Sequence, residues 1–321
     1  MGRYKPGGAQ ARQTGVMIVV VCPGQGSQTP GFLSPWLAER RFADHLSALS
    51  ESAGIDLALH GTTSDTDTIR DTAVAQPLIV AAGLLTLAAL LEGRRDRIAG
   101  VAGHSVGEVT AAATAGILSE TDAMTLVRER GSAMADAAAL EPTGMSAVIG
   151  AAEDELLARL DELGLEPANF NGGGQIVVAG ALDRLAALKE APPAGARVIP
   201  LQVAGAFHTR YMSPALAHLS AVAANIQKHD PALTIWSNHD GTVVSSGTTF
   251  IDLLVGQVSS AVRWDKTMDA FAAAGITGLI EIAPAGALVG LAKRGLKGVP
   301  AVAVKTPDDL AAAFDLIDGK S

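Results

Sequence analysis

From residue 16 onward, short β-branched runs alternate with helical stretches, and this alternation constrains the chain more than any other feature. Strands that are apolar throughout need cover on both faces, and crossover helices supply it, so the pattern specifies an α/β fold around a mostly parallel sheet. Met17 to Cys22, Ile98 to Ala102, Thr234 to Trp236, Gly278 to Ile282 and Ala301 to Val304 read as strands. Helices are expected around residues 44–53, 77–91, 119–138, 214–227, 249–257 and 265–274, and after each of the last two strands. Ser119 with Asp122 three positions on opens the 119–138 helix, and Ser213-Pro214 opens the next. A chain of 321 residues exceeds the roughly 250–300 that one hydrophobic core sustains, so a second, smaller unit is expected.

Between residues 143 and 204 the pattern changes. Met145 to Ile149, Glu166 to Asn171, Gln175 to Ala179 and Arg197 to Gln202 read as strands, Glu153 to Leu163 and 182–190 as helices, and Gly172-Gly173-Gly174 as a turn. The order β-α-β-β-α-β is that of a ferredoxin-like split unit. We therefore expect an inserted subdomain over 143–204 within a discontinuous core formed by 16–142 and 205–321. A polar, glycine-rich lead over 1–15, expected to be disordered, precedes it.

Two segments test for a membrane or export role. Arg3, Lys5 and Arg12 precede the apolar run Val16 to Val21, as in a signal peptide, but the run is short and a glycine-rich turn follows in place of a cleavage site, so it reads as a strand. The longest apolar stretch, Leu78 to Leu91, falls below the roughly 18–20 residues that cross a bilayer and reads as a buried helix with Pro77 in its first turn.

Composition removes other classes. With 48% hydrophobic and 18% charged residues the chain is globular, and 24 basic against 33 acidic residues, a net charge of −9, argues against nucleic acid as a partner. Aromatic residues at 4% leave few platforms for stacked bases. The single cysteine, Cys22, forbids an internal disulfide or a multi-thiolate zinc site and fits a reducing cytoplasm. No metal-ligand spacing such as H-E-x-x-H occurs.

Gly103-His104-Ser105-Val106-Gly107 matches G-x-S-x-G, in which a serine sits on a sharp strand-to-helix turn with its hydroxyl exposed. A buried strand before it and a helix after it supply the context that motif requires; the plainer reading is a glycine-rich turn. Of seven histidines, His208 stands out, because it follows the apolar Val203 to Phe207 just before a new helix, where loops of an α/β sheet collect active groups; a structural histidine is the competing reading. His104 adjoins the serine, but adjacent side chains on a tight turn diverge.

Projected at about 100° per residue, the 119–138 helix places Ala123, Leu126, Val127, Ala133, Met134 and Ala137 on the face of Arg130, and Thr121, Thr125, Arg128 and Ser132 opposite. Arg130 therefore points inward. A buried guanidinium needs an anion, either an internal Asp or Glu or the carboxylate of a ligand. Pro23-Gly24-Gln25-Gly26-Ser27-Gln28, after the first strand, lacks the last glycine of a dinucleotide loop but could offer backbone N–H groups to an oxyanion.

Taken together, Pro23 to Gln28, Gly103 to Glu108, Arg130-Gly131, Gly205-Ala206-Phe207-His208, Gln257 and Pro284 to Leu288 resemble, in order and spacing across about residues 17 to 305, the malonyl-CoA:acyl carrier protein transacylase family. The resemblance implies a hydrolase-like α/β core with the ferredoxin-like insertion. It implies Ser105 as nucleophile, His208 as general base, Arg130 as the partner of the malonyl carboxylate, and the N–H groups of Gln25 and Val106 as the oxyanion hole. Gln257 is implied to lie near the histidine, which the family orients by a backbone carbonyl; Asn171, His104 and Phe207 support the site, and Ala206-Phe207-His208 resembles the malonyl-type form of a motif in which methylmalonyl-selective relatives carry serine for phenylalanine.

The implied reaction is ping-pong transfer of malonyl from malonyl-CoA to the phosphopantetheine thiol of acyl carrier protein, with no metal or cofactor, in a monomeric cytoplasmic enzyme with no nucleic acid or membrane partner. Lys293 and Arg294 could contact the acidic carrier or the CoA phosphates, or simply end a solvated helix. A serine hydrolase and a non-catalytic scaffold are the rival classes: the hydrolase would want an acid between Ser105 and His208, for which Asp183 is the one loosely placed candidate, and a scaffold would not need Ser105, His208 and Arg130 together.

Overall fold

A computed structural model describes residues 15–320, so the expected N-terminal lead lies, but for Gly15, outside the described residues. The chain runs β1 (Ile18–Cys22), α1 (Ser34–Leu37), α2 (Arg40–Ala53), α3 (Leu57–Thr62), α4 (Thr66–Arg70), α5 (Thr72–Leu90), β2 (Ile98–Gly103), α6 (Gly107–Ala115) and α7 (Glu120–Ala138). It continues as β3 (Thr143–Ile149), α8 (Glu153–Leu163), β4 (Glu166–Gly172), β5 (Gln175–Ala181), α9 (Leu182–Glu190) and β6 (Arg197–Pro200). It closes with α10 (Ser213–Asn225), β7 (Thr234–Trp236), α11 (Gly247–Gly256), α12 (Trp264–Ala273), β8 (Gly278–Glu281), α13 (Ala287–Gly295), β9 (Ala301–Ala303) and α14 (Leu310–Asp318).

Five parallel strands form one sheet in the order β7-β2-β1-β8-β9. Val20 lies opposite Val101 on one side and Ile280 on the other, and every β1 residue is fully buried. Each such aliphatic side chain contributes about 1.5–3 kcal/mol by leaving water. The chain departs from β1 toward β2 and later returns to its other flank as β8. The C-terminal ends of the central strands therefore open onto the crevice where ligands of such sheets bind.

The second sheet is antiparallel, in the order β4-β5-β3-β6. Gly172, Gly173 and Gly174, all at positive φ, make the tight β4–β5 turn. Leu156, Leu160, Leu185 and Leu188 of α8 and α9 cover one face against Val148 and Val178. Its edge strand β4 is fastened to the rest of the molecule: Phe170 N–H donates to the Val262 carbonyl at 2.8 Å, and Val262 N–H to that of Ala168 at 2.9 Å. Otherwise β4 would present unpaired backbone groups.

Several boundaries differ from expectation. Pro77 lies inside α5, not in its first turn: Asp71 caps the helix by accepting the Ala73 N–H at 2.8 Å, and buried Thr72, Ala75 and Gln76 draw the preceding turn into the core. At 19 residues and a mean hydropathy of 2.0, Thr72–Leu90 is long and apolar enough to cross a bilayer, but 83% of the window is buried within the protein, so it is a core helix. The helix expected after β8 begins at Ala287 as α13, whose free N–H groups at Gly286, Leu288 and Val289 are taken by the buried Glu281 carboxylate. The short helices α1, α3 and α4 have too few turns to print a periodicity in the sequence.

Candidate active site

The site begins where β2 turns into α6. Ser105 has φ 53° and His208 φ 63°, the only non-glycine residues at positive φ among the described residues. Such a conformation costs an L-residue about 1–2 kcal/mol, so the surroundings must enforce it. At the elbow, a Cβ on Gly103 would fall 2.0 Å from the Gly107 carbonyl carbon, and one on Gly107 would fall 2.1 Å from the Cys22 carbonyl oxygen. Both glycines are therefore obligatory. Buried Asn238, just beyond β7, clamps the turn: its Oδ1 accepts the Ser105 N–H at 2.8 Å and its Nδ2 donates to the Gly103 carbonyl at 2.7 Å.

Ser105 Oγ lies 2.7 Å from His208 Nε2, and His208 Nδ1 lies 2.8 Å from the Gln257 carbonyl oxygen. A carbonyl only accepts, so Nδ1 carries the ring proton and Nε2 turns its lone pair to the serine. Burial first, then the Arg130 cation, holds the imidazole down at about 3, so it is neutral near pH 7. The backbone carbonyl stands where a triad would have an acid. Asp183, the acid a hydrolase might have used, sits exposed on α9 beside Arg184.

Arg130 is 1% exposed on the inner face of α7, as the helical projection requires. Its Nη1 donates to Gln76 Oε1 at 2.6 Å, and its Nη2 to Gln257 Oε1 at 3.1 Å and Ser105 Oγ at 3.4 Å. Its Nε has no partner, and it forms no ion pair among the described residues. The internal salt bridge is thus not made, and burial lowers the guanidinium to about 10. An anion entering beside Ser105 would find a desolvated cation held by neutral amides. Arg128, on the opposite face, pairs with Glu129.

Gln25 and Val106 line the same cleft, of about 100 Å³, together with Ser105, Arg130, Phe207 and His208. Neither the Gln25 nor the Val106 N–H donates within the described residues, which leaves both for an oxyanion. Phe207 is 6% exposed and forms part of an apolar wall with Met134, Met145 and Val203. His104 does diverge from Ser105: its Nε2 meets Asn171 Oδ1 at 3.0 Å, a bond joining the two sheets across the cleft, and its ring abuts Trp264. Lys293 and Arg294 lie outside this lining, on the exposed last turn of α13, with Arg294 against Gly173 of the β4–β5 turn. A wider hollow of about 500 Å³ between α2 and α5 is lined by no serine or cysteine.

Sequence reasoning assigned no role to three residues of the site: Asn238, Gln76 and Glu108. Gln76 is the lone polar side chain on an apolar stretch of α5, and Glu108 is an acid among Val and Ala at the start of α6; both were legible as polar groups on apolar faces. Asn238 lies in a loop that carried no such mark. Among the described residues no group of three or more His, Cys, Asp or Glu side chains could hold a metal ion.

A family model described as an acyl transferase domain matches residues 19–308. The malonyl CoA-acyl carrier protein transacylase of Mycobacterium tuberculosis is 53% identical over 298 residues, which is 92% of this chain and 98% of that protein. That of Escherichia coli is 34% identical over 310 residues, with 92% and 98% covered. Among solved structures, MCAT from Mycobacterium tuberculosis superposes with a TM-score of 0.89 at 52% identity, covering 92% of this chain and 99% of that one. A type II PKS acyl-carrier protein in complex with its malonyl-transacylase gives 0.89 at 29% identity, covering 93% and 99%.

Proposed function

The chain belongs to the malonyl CoA-acyl carrier protein transacylase family of acyltransferases, and from that membership we propose that it moves malonyl from malonyl-CoA to the phosphopantetheine thiol of acyl carrier protein through malonyl-Ser105. One observation carries the mechanism: a base and a carboxylate receptor converge on one oxygen, Ser105 Oγ, at 2.7 Å from His208 Nε2 and 3.4 Å from Arg130 Nη2.

His208 Nε2 takes the Ser105 proton as Oγ attacks the thioester carbonyl. The tetrahedral oxyanion forms against the N–H groups of Gln25 and Val106, and collapse expels the CoA thiolate, which receives the proton from His208. The carrier thiol then repeats the sequence in reverse, regenerating Ser105. The malonyl carboxylate sits on Arg130. By neutralising that cation it also removes one of the causes that hold His208 down, so a substrate bearing a carboxylate strengthens the base that will act on it.

The same reading divides the chain into a hydrolase-like core, 16–142 with 205–321, and a ferredoxin-like unit, 143–204. The β-α-β-β-α-β order and the strand order β4-β5-β3-β6 support the latter. The test is intact-mass measurement after mixing with malonyl-CoA: the protein should gain one malonyl group, lose it to added holo carrier protein, and gain none as Ser105→Ala. An adduct that persists in the variant overturns the assignment of the nucleophile. An adduct that decays equally fast without carrier overturns transfer in favour of hydrolysis.

A further inference from the structure

Glu108 is a buried carboxyl group for which the transfer chemistry has no direct use. It opens α6 and is 1% exposed. Both oxygens are engaged: Oε1 accepts the Asn238 N–H at 2.7 Å, and Oε2 accepts from Gln257 Nε2. The same Gln257 amide turns its oxygen to Arg130 Nη2 at 3.1 Å. An amide donates at one end and accepts at the other, so an acceptor facing its nitrogen forces its oxygen toward the guanidinium. Without Glu108 the amide could turn over, and its NH2 would meet Nη2 donor against donor.

Among the described residues Arg130 makes no direct ion pair, and Glu108 reaches it only through the Gln257 amide. Burial in turn pushes Glu108 up to about 8, with the Asn238 N–H and Arg130 among the groups that resist the shift. A carboxylate in direct contact would occupy the fork that an incoming anion needs. Held one amide away, it leaves the edge toward Ser105 unoccupied by any carboxylate of the described residues.

We propose that Glu108 is a positioning residue for substrate recognition: through the Gln257 side chain it orients Arg130 without competing for the substrate's carboxylate. The proposal rests on the malonyl-transfer reading above. The alternative role is to hold the elbow, since Glu108 also binds Asn238, which clamps Ser105.

The two roles differ in which acyl donor suffers. Initial rates with malonyl-CoA and with acetyl-CoA, which has no carboxylate, are compared for wild type, Glu108→Gln, Gln257→Met and the double variant; Gln257→Met keeps the backbone carbonyl that His208 uses. In each single variant the malonyl KM should rise about tenfold or more while acetyl transfer changes less than about threefold, and the double variant should be no worse than the worse single one. Equal losses with both donors, additive losses, or no loss in Glu108→Gln overturn the proposal. If Glu108→Gln does not fold, the malonyl-to-acetyl ratio of Gln257→Met decides it, and an unchanged ratio refutes it. A wild type that transfers no malonyl would instead sink the malonyl-transfer reading.

Discussion

Replacing Arg130 by alanine should act in opposite directions on two acyl donors. The guanidinium is desolvated, held by Gln76 at 2.6 Å and Gln257 at 3.1 Å, and forms no ion pair among the described residues. Deleting it leaves the malonyl carboxylate in an apolar cleft without a partner, and breaking such a desolvated charge pair costs about 2–5 kcal/mol. At about 1.4 kcal/mol per decade, malonyl kcat/KM should fall roughly 30-fold to several thousand-fold. An acetyl group has no carboxylate to lose. Removing the cation also lifts a restraint on His208 basicity, so acetyl transfer should hold steady or rise. Stability falls separately, because Gln76 and Gln257 each lose a donor, at about 1–3 kcal/mol per unsatisfied buried acceptor. The assay is steady-state transfer from each donor under conditions where the variant is folded by circular dichroism. Parallel losses with both donors would refute the reasoning, since they would mean that Arg130 shapes the site and does not read the carboxylate.

Three further outcomes are expected. Gly103→Ala forces a Cβ to within 2.0 Å of backbone at Gly107 and should destabilise the fold by about 3 kcal/mol or more in denaturant titration; a loss under about 1 kcal/mol would contradict the elbow geometry. Stability should depend on pH through two buried groups of opposite sign. His208, lowered from 6.5 to about 3, binds its proton only in the unfolded chain between those values, so stability falls as pH drops through that window. Glu108, raised from 4.5 to about 8, binds its proton only in the folded chain between those values, so stability falls as pH rises through them. Between about pH 6.5 and 8 the wild type should lose about 2 kcal/mol that Glu108→Gln keeps, and equal losses in the two proteins would show that Glu108 ionises alike folded and unfolded. Finally, reversing the charges at exposed Lys293 and Arg294 should raise the KM for carrier protein with transfer to Ser105 unchanged; an unaltered carrier KM would return the pair to a solvated helix end favourable to its dipole.

Much of this was legible in the chain itself. The strand pattern located all nine strands of the described residues to within a few residues, because a strand buried on both faces must be apolar throughout and a tight turn must carry glycine. The inward aim of Arg130 followed from helical period alone. Where the reading failed, local rules competed: Pro77 is a good first-turn residue, but buried Thr72, Ala75 and Gln76 extend α5 behind it. Elements shorter than two turns, such as α1 and α4, leave no periodicity to read.

Residue types and their period determined that there would be a strand-turn-helix elbow at Ser105, a histidine after Phe207, and an arginine on an apolar helix face. Only the tertiary structure decided that these three meet. Ser105 and His208 are 103 positions apart, and their contact depends on the Gln257 carbonyl and the Asn238 side chain, which arrive from later loops. The choice between an internal anion and an external one for Arg130 was likewise undecidable from one helix. It turns on what the neighbouring helices present, and they present the amides of Gln76 and Gln257, with Glu108 held one hydrogen bond further away. Periodicity reports which way a side chain points; what it meets there is set by packing between segments distant in sequence.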